Sequence, residues 1–257
     1  MAGESVRDLL EVAVDIAEKA GEITLRYYQG RFAVETKADT SPVTVADREA
    51  ETYIRRAIES RFPQDGIVGE EFGEIRAQAR RRWIVDPIDG TFSFVRGVPL
   101  YGVLIGVEQD EEPLVGVIHL PALDETVAAA RGEGCRWRGQ RAQVSSTAQL
   151  RDALWLTTDL DFDADAAGSS ALDRLVDAAG PARTWGDCYG YALVATGRAD
   201  IMTDPRMHVW DCAALLPIIE GANGRFTDWQ GRRTIRGGNA VATNGVLHDE
   251  VLALLKG

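Results

Sequence analysis

The hexapeptide Asp86-Pro87-Ile88-Asp89-Gly90-Thr91, preceded by the apolar run Trp83-Ile84-Val85, sets two carboxylates close together where a strand is expected to end. Aspartate is a poor residue for strand and helix interiors, and Pro87 and Gly90 punctuate the backbone. The spacing therefore predicts a tight loop that aims both acids into one small space, which is metal-ligand chemistry, although an ordinary Asp-rich turn has the same composition. Gly69-Glu70-Glu71 lies upstream after the apolar Ile67-Val68, and Trp210-Asp211 lies far downstream, opening the helical pattern Cys212-Ala213-Ala214-Leu215-Leu216. Each again puts an acid at the edge of an apolar element; taken singly, they read as a solvated glutamate pair at a turn and a helix N-cap. Hard divalent cations take oxygen ligands, and magnesium keeps several waters while binding a few carboxylates. Glu70, Asp86, Asp89 and Asp211 are the candidate ligands. Four carboxylates in one space stay ionised only with difficulty unless cations neutralise them.

In this order, the Glu-Glu pair, the DPIDGT hexapeptide and the Trp-Asp pair resemble the motifs of the inositol monophosphatase family of metal-dependent phosphatases, over nearly the whole chain. The resemblance implies an α/β fold, a layered αβαβα sandwich of the inositol monophosphatase and fructose-bisphosphatase type, with the active site between two lobes. It implies magnesium as cofactor, two to three ions per site, with the Ile88 carbonyl as a further ligand, and a homodimer. It places Asp47 on the hydroxyl of Thr91, which with Glu70 orients a water for in-line attack on phosphorus. In that scheme one metal lowers the pKa of the water and another stabilises the leaving alkoxide. Asp47 fits as well a first-turn acid that only stabilises a helix. The stretch from Lys37 to Asp47 resembles the family's mobile loop and the helix after it.

Gly90 and Thr91 are expected to open a helix through Phe92-Ser93-Phe94-Val95, whose free N–H groups would favour a phosphate. Within the family, Phe94-Val95-Arg96-Gly97-Val98-Pro99, Asp187-Cys188-Tyr189-Gly190-Tyr191 and Ala242-Thr243-Asn244-Gly245 resemble the histidinol-phosphate phosphatase branch. Histidinol phosphate carries an amine and an imidazole, which an acidic rim suits better than it suits a neutral polyol. Gly90, Thr91, Arg96, Asp187 and Asp204 are the candidate substrate contacts, although Asp187 and Asp204 also read as turn residues. The sequence departs from the branch at Phe92, where a lysine is usual, which keeps open an inositol-1-phosphatase or a broader phosphatase of small sugar and polyol phosphates. A regulatory binding protein without activity is a third reading, opposed by the presence of all four carboxylates with Thr91 and Asp47.

The elements that must position these residues are visible in outline. Val6, Leu9, Leu10, Ala13, Ile16, Ala17, Ala20 and Ile23 predict a helix from Val6 to Tyr28 with Ser5 as N-cap, and a second helix fits Ala46 to Arg61. Gly102–Val107 and Leu114–Leu120 flank a polar turn as one hairpin, and Thr126–Ala130 and Gly134–Trp137 form another. Short apolar strands near residues 154, 199, 224 and 240 alternate with helical stretches in the second half. The reading is an N-terminal lobe over 1–142 with the Glu-Glu and DPIDGT motifs and a C-terminal lobe over 143–257 with the Trp-Asp motif, acting as one unit. A formal net charge of −12 argues against nucleic acid as partner. No run of about eighteen apolar residues predicts a membrane span, and the first residues lack a secretory pattern, so a cytoplasmic protein is expected, acting on the small phosphorylated metabolite that the resemblance implies. Cys135, Cys188 and Cys212 are spaced as reduced core thiols, and Arg80-Arg81-Arg82 reads as a solvated turn. Asp159, Asp161, Asp163 and Asp165 mimic the start of a calcium loop, but Ala166 and Leu172 replace its glycine and glutamate, which leaves an exposed loop. His119, His208 and His248 lack metal-ligand spacing; His208 adjoins the Trp-Asp pair, with a structural role favoured.

Overall fold

Apolar residues at helical spacing give the first helix, α1 (Val6–Leu25), a buried stripe of Leu9, Ala13, Ile16, Ala17, Ala20 and Ile23. Ser5 and Asp8 close its N-terminus as a reciprocal capping box. The computed structural model describes residues 4–30, 33–36, 42–162 and 170–256. A short antiparallel hairpin, β1 (Val34–Thr36) and β2 (Pro42–Thr44), leads into α2 (Val45–Arg61), which Thr44 and Asp47 cap in the same reciprocal way.

Both helices pack on an eight-stranded sheet built from β3 (Gly66–Gly69), β4 (Gly73–Ile75), β5 (Arg81–Asp89), β6 (Gly102–Gln109), β7 (Glu112–Leu120), β8 (Glu125–Ala130), β9 (Gly134–Trp137) and β10 (Gln140–Ala142), with α3 (Thr91–Val95) between β5 and β6. The order is β10-β9-β8-β7-β6-β5-β3-β4, antiparallel except where β3 runs parallel to β5. Both faces are buried, so these strands are nearly continuously apolar. Trp83, Val85, Val103, Ile105 and Val117 pack against α1 and α2, while Ile84, Leu104 and Ile118 face the opposite way. β5 does not stop at Asp86 as the sequence suggested. It runs to Asp89 through a bulge, because Pro87 has no N–H to give and the Ile88 N–H turns to the Asp86 carboxylate. Arg81 and Arg82 are not a solvated turn either: they open β5, half-buried, on Asp65 and Glu108 at 2.6 and 2.7 Å.

The second half supplies β11 (Trp155–Leu156), α4 (Ala171–Ala178), β12 (Ala182–Arg183), α5 (Asp187–Ala195), β13 (Ile201–Asp204), α6 (Val209–Gly221), β14 (Arg225–Thr227), β15 (Ala240–Thr243) and α7 (His248–Lys256). Its five strands form a mixed sheet, β12-β11-β13-β15-β14. α5 and α6 are apolar all round because they lie between the two sheets, whereas α4 and α7 cover the outer face over Trp155, Ile201 and Val241. The result is the expected αβαβα order of layers. α6 reaches unusually close to the large sheet: a Cβ at Gly106 would sit 2.6 Å from the Ala213 Cβ, and one at Gly116 would overlap the Ala214 carbonyl. All three cysteines are buried and unpaired, as expected.

Candidate functional site

Three elements converge at one end of the large sheet. Gly69 stands opposite Val85 in the parallel pair, and the Glu70 N–H bonds the Val85 carbonyl at 3.3 Å, so Glu70 leaves β3 alongside Asp86. Asp86 shares a sheet face with Ile84 and so turns toward α6. There Asp211, in the first turn of α6, accepts the His208 N–H at 2.6 Å. The bulge brings Asp89 to the same side, where it accepts the Cys188 N–H at the start of α5. One oxygen from each of Asp86, Asp89 and Asp211 lies within 4.8 Å of the others.

Such a cluster resists ionisation. Burial, and then the charges of Glu70, Asp89 and Asp211, hold Asp86 well above the usual carboxylate range. Burial, followed by Asp187 and Asp211, does the same for Asp89 against the help of the Cys188 bond. Burial also pushes Asp211 up to about 7, with Glu70, Asp204 and Asp187 adding to it. Among the described residues no cationic side chain pairs with Asp86, Asp89 or Asp211. An all-oxygen donor set with this much unneutralised charge fits a hard divalent cation such as magnesium.

Asp89 and Asp211 border a cavity of about 160 Å³, lined also by Thr158, Asp159, Asp187, Asp204 and Arg206. Asp204 is buried and accepts the Thr158 N–H and the Tyr191 hydroxyl, both at 2.9 Å, and burial still raises it to about 7. Asp187 opens α5, its N–H bonded to the Thr158 hydroxyl at 2.7 Å; burial lifts it to about 6, opposed by a bond from Ser93. Gly90 is required twice over, by a φ of 84° and because a Cβ would stand 2.9 Å from Asp187 Oδ2.

Other expectations fare differently. The Thr91 hydroxyl donates to the Ile88 carbonyl at 2.9 Å, not to Asp47. Asp47 Oδ2 is taken by the Thr44 N–H and hydroxyl at 2.8 and 2.6 Å, the helix-capping role that was its alternative reading. Asp47 Oδ1 is buried without a hydrogen-bond partner, and burial raises this acid to about 7, with Glu71 and Glu70 close enough to contribute. A carbonyl oxygen has two lone pairs, so the Thr91 bond does not by itself fill the Ile88 oxygen. The helix after Gly90 is a single turn, α3, too short to sum much of a dipole. Arg96 is exposed, lies 5.2 Å over the Phe92 ring, and does not line the cavity. His208 caps α6 and stacks on Trp210 at 4.8 Å. Asp159 and Asp161 clasp Arg206 at 2.7 and 2.9 Å; Asp163, Asp165 and the loop over 37–41 lie outside the described residues. Sequence reasoning missed Thr158, which no motif marks, and gave no role to Tyr191, which closes the Asp187–Tyr191 stretch, since their contacts arise only when β11, α5 and β13 meet.

The profile of the inositol monophosphatase family matches residues 5–257. A protein of Chlorobaculum parvum named histidinol-phosphatase is 44% identical, with 96% of each chain covered. One of the same name from Mycobacterium tuberculosis is 42% identical over 96% of this chain and 98% of its own. Among solved structures, an IMPase of Thermotoga maritima superposes with a TM-score of 0.87 at 33% identity, with 97% of each chain covered. The chain belongs to the inositol monophosphatase family.

Proposed function

We propose that the chain is a magnesium-dependent phosphomonoesterase that hydrolyses L-histidinol phosphate to L-histidinol and phosphate, a step of histidine biosynthesis. The observation that carries this reading is the cluster of Asp86, Asp89 and Asp211 oxygens at the head of an acid-walled cavity. The histidinol-phosphatase relatives support the choice of ester. Glu70, Asp86, Asp89, Asp211 and the Ile88 carbonyl would hold the metal, which when bound supplies Lewis-acid charge and lowers the pKa of water.

Around it, the chain's own groups bind and orient. Gly90, with no side chain, leaves the backbone open to a phosphate, and Thr91 stands beside it for a phosphate oxygen or the attacking water. Glu70 is the group proposed to orient that water. Asp47 keeps one carboxylate oxygen unpartnered near Glu70 and supports the same role through Glu70. Asp187 and Asp204, both raised by burial, would hold their charge more firmly on meeting a cationic amine or imidazolium, which favours a substrate of that charge. A homodimer in the cytoplasm completes the reading; three unpaired buried thiols agree with a reducing compartment.

Phe92, exposed where a cation would serve a phosphate, favours a second reading, a phosphatase of inositol or other polyol phosphates. Phosphate release from L-histidinol phosphate and from myo-inositol-1-phosphate, each with magnesium across a concentration series, decides between them. A kcat/KM preference of about a hundredfold or more for histidinol phosphate, roughly 2.7 kcal/mol in transition-state binding, is expected. Comparable rates or the reverse preference would support the second.

A further inference from the structure

Glu51 lies on α2, away from the carboxylate cluster, and is fully buried. Its Oε2 accepts the Glu71 N–H at 2.7 Å, and its Oε1 accepts the Phe72 N–H at 3.2 Å and Arg55 Nε at 2.7 Å. Arg55, one helical turn along, donates to the Gly73 carbonyl and lies 5.9 Å from the centre of the Phe72 ring. Gly69 completes the contact, since a Cβ there would overlap the Glu51 carboxylate. The pair thus grips the turn 69–73 on both sides of Glu70.

Satisfying this turn's backbone does not require a buried ion pair. Phe72 is 48% exposed, and N–H groups at such a turn can bond water instead. Burying a charged pair costs desolvation that its attraction only partly offsets. What the pair adds is a fixed place for the backbone, and metal ligands need placement to within about 0.5 Å.

We propose that Glu51 is a positioning residue: with Arg55 it fixes the turn 69–73 so that the Glu70 carboxylate stands at the metal cluster. The role rests on the metal centre proposed above and is tested by a readout other than turnover. Mn²⁺ alone is titrated into the purified full chain and its binding followed by electron paramagnetic resonance, beside thermal unfolding in chelator.

Glu51→Gln keeps the size of the side chain but removes its charge and one acceptor, and the Mn²⁺ dissociation constant should rise about tenfold or more. Glu108→Gln, at the opposite end of β6 from the cluster, is the control for damage alone: its melting temperature should fall while its Mn²⁺ affinity stays that of the parent. Parent-like Mn²⁺ affinity in Glu51→Gln overturns the proposal, and so does an equal loss of affinity in Glu108→Gln. If Glu51→Gln does not fold, Arg55→Gln, which releases the Gly73 carbonyl, decides in the same way: weaker Mn²⁺ binding supports the role and parent-like binding overturns it. Failure of the parent chain to bind Mn²⁺ overturns the metal centre itself, and this role with it.

Discussion

Carboxylates away from solvent occur in two settings in this molecule. Glu51, Asp65, Glu108, Glu125 and Asp228 are buried, and each has an arginine at 2.6–2.7 Å; Glu108 has two, Arg82 and Arg236. Asp200 manages with neutral donors, the Ser145 hydroxyl and the Leu154 N–H. Asp86, Asp89, Asp204 and Asp211 also have only neutral donors, but Asp86 clusters with Asp89 and Asp211, and these two face Asp204 across a small cavity. A single buried acid can be satisfied by N–H and O–H groups; a cluster cannot, because each member raises the free energy of its neighbours' charges. A fold that supplies arginines to five of its buried acids and none to this cluster is suited to positive charge that arrives from outside.

The largest test of that contrast removes one acid from the cluster. Asp211→Asn should lower kcat by about a thousandfold or more, yet melt no lower than the parent in chelator, because a repulsive charge is gone. Parent-like kcat at saturating magnesium would take Asp211 out of the ligand set. On the structural side the sign reverses: Glu108→Gln takes from Arg236 its counter-charge and from Arg82 the nearest of its three, leaving Glu74 and Glu111 at 3.8 and 3.9 Å, and should cost about 3 kcal/mol in denaturant unfolding, with kcat little altered. An unmoved denaturation midpoint would erase the distinction between the two settings.

Buried histidines sharpen the contrast further. His248, held between the Thr227 and Thr243 hydroxyls, is lowered to about 4 by burial, as is His119 beside Thr126. The unfolded chain takes up protons at these groups below about pH 6.5, whereas the folded chain does so only below about 4. Each therefore contributes full stability above about 6.5, loses up to about 1.4 kcal/mol per unit as pH falls, and levels off below about 4, about 3 kcal/mol in all. Replacing His248 by Asn should remove its share of that slope; identical pH–stability curves would contradict the neutral assignment. The smallest effect is that of the ion itself. Magnesium at about a hundred times its dissociation constant should stabilise the parent by about 2.7 kcal/mol, reversibly with chelator, and Asp211→Asn much less. Equal stabilisation of both chains would put the ion elsewhere.

Much of this arrangement is legible in the chain. The stripe of α1, the hairpins of the large sheet and the three acidic motifs follow from local periodicity and local punctuation. Most of what was misread depended on distant partners. Arg81 and Arg82 resemble a polar turn until Asp65 and Glu108 are placed beside them. Asp86-Pro87-Ile88-Asp89 has the composition of a loop, but pairing with β6 resumes after the bulge and keeps Asp89 in the strand. Asp47 and Thr91 were joined by resemblance, whereas nearer groups, Thr44 and Ile88, take their hydrogen bonds. Glu51 has no motif at all; only the approach of α2 to the turn after β3 gives it something to hold.

The close seating of α6 on Gly106 and Gly116 means that the interlayer distance works as a ruler for the site. A single added methyl at Gly116 would lift the helix and carry Asp211 away from Asp86. The chemistry is thereby tied to the most inflexible dimension of the sandwich. The wall formed by Thr158, Asp159, Pro205, Arg206 and Met207 borders the cavity outside that ruler. Its residues can change, and preference among esters drift with them, without resetting the spacing on which hydrolysis depends.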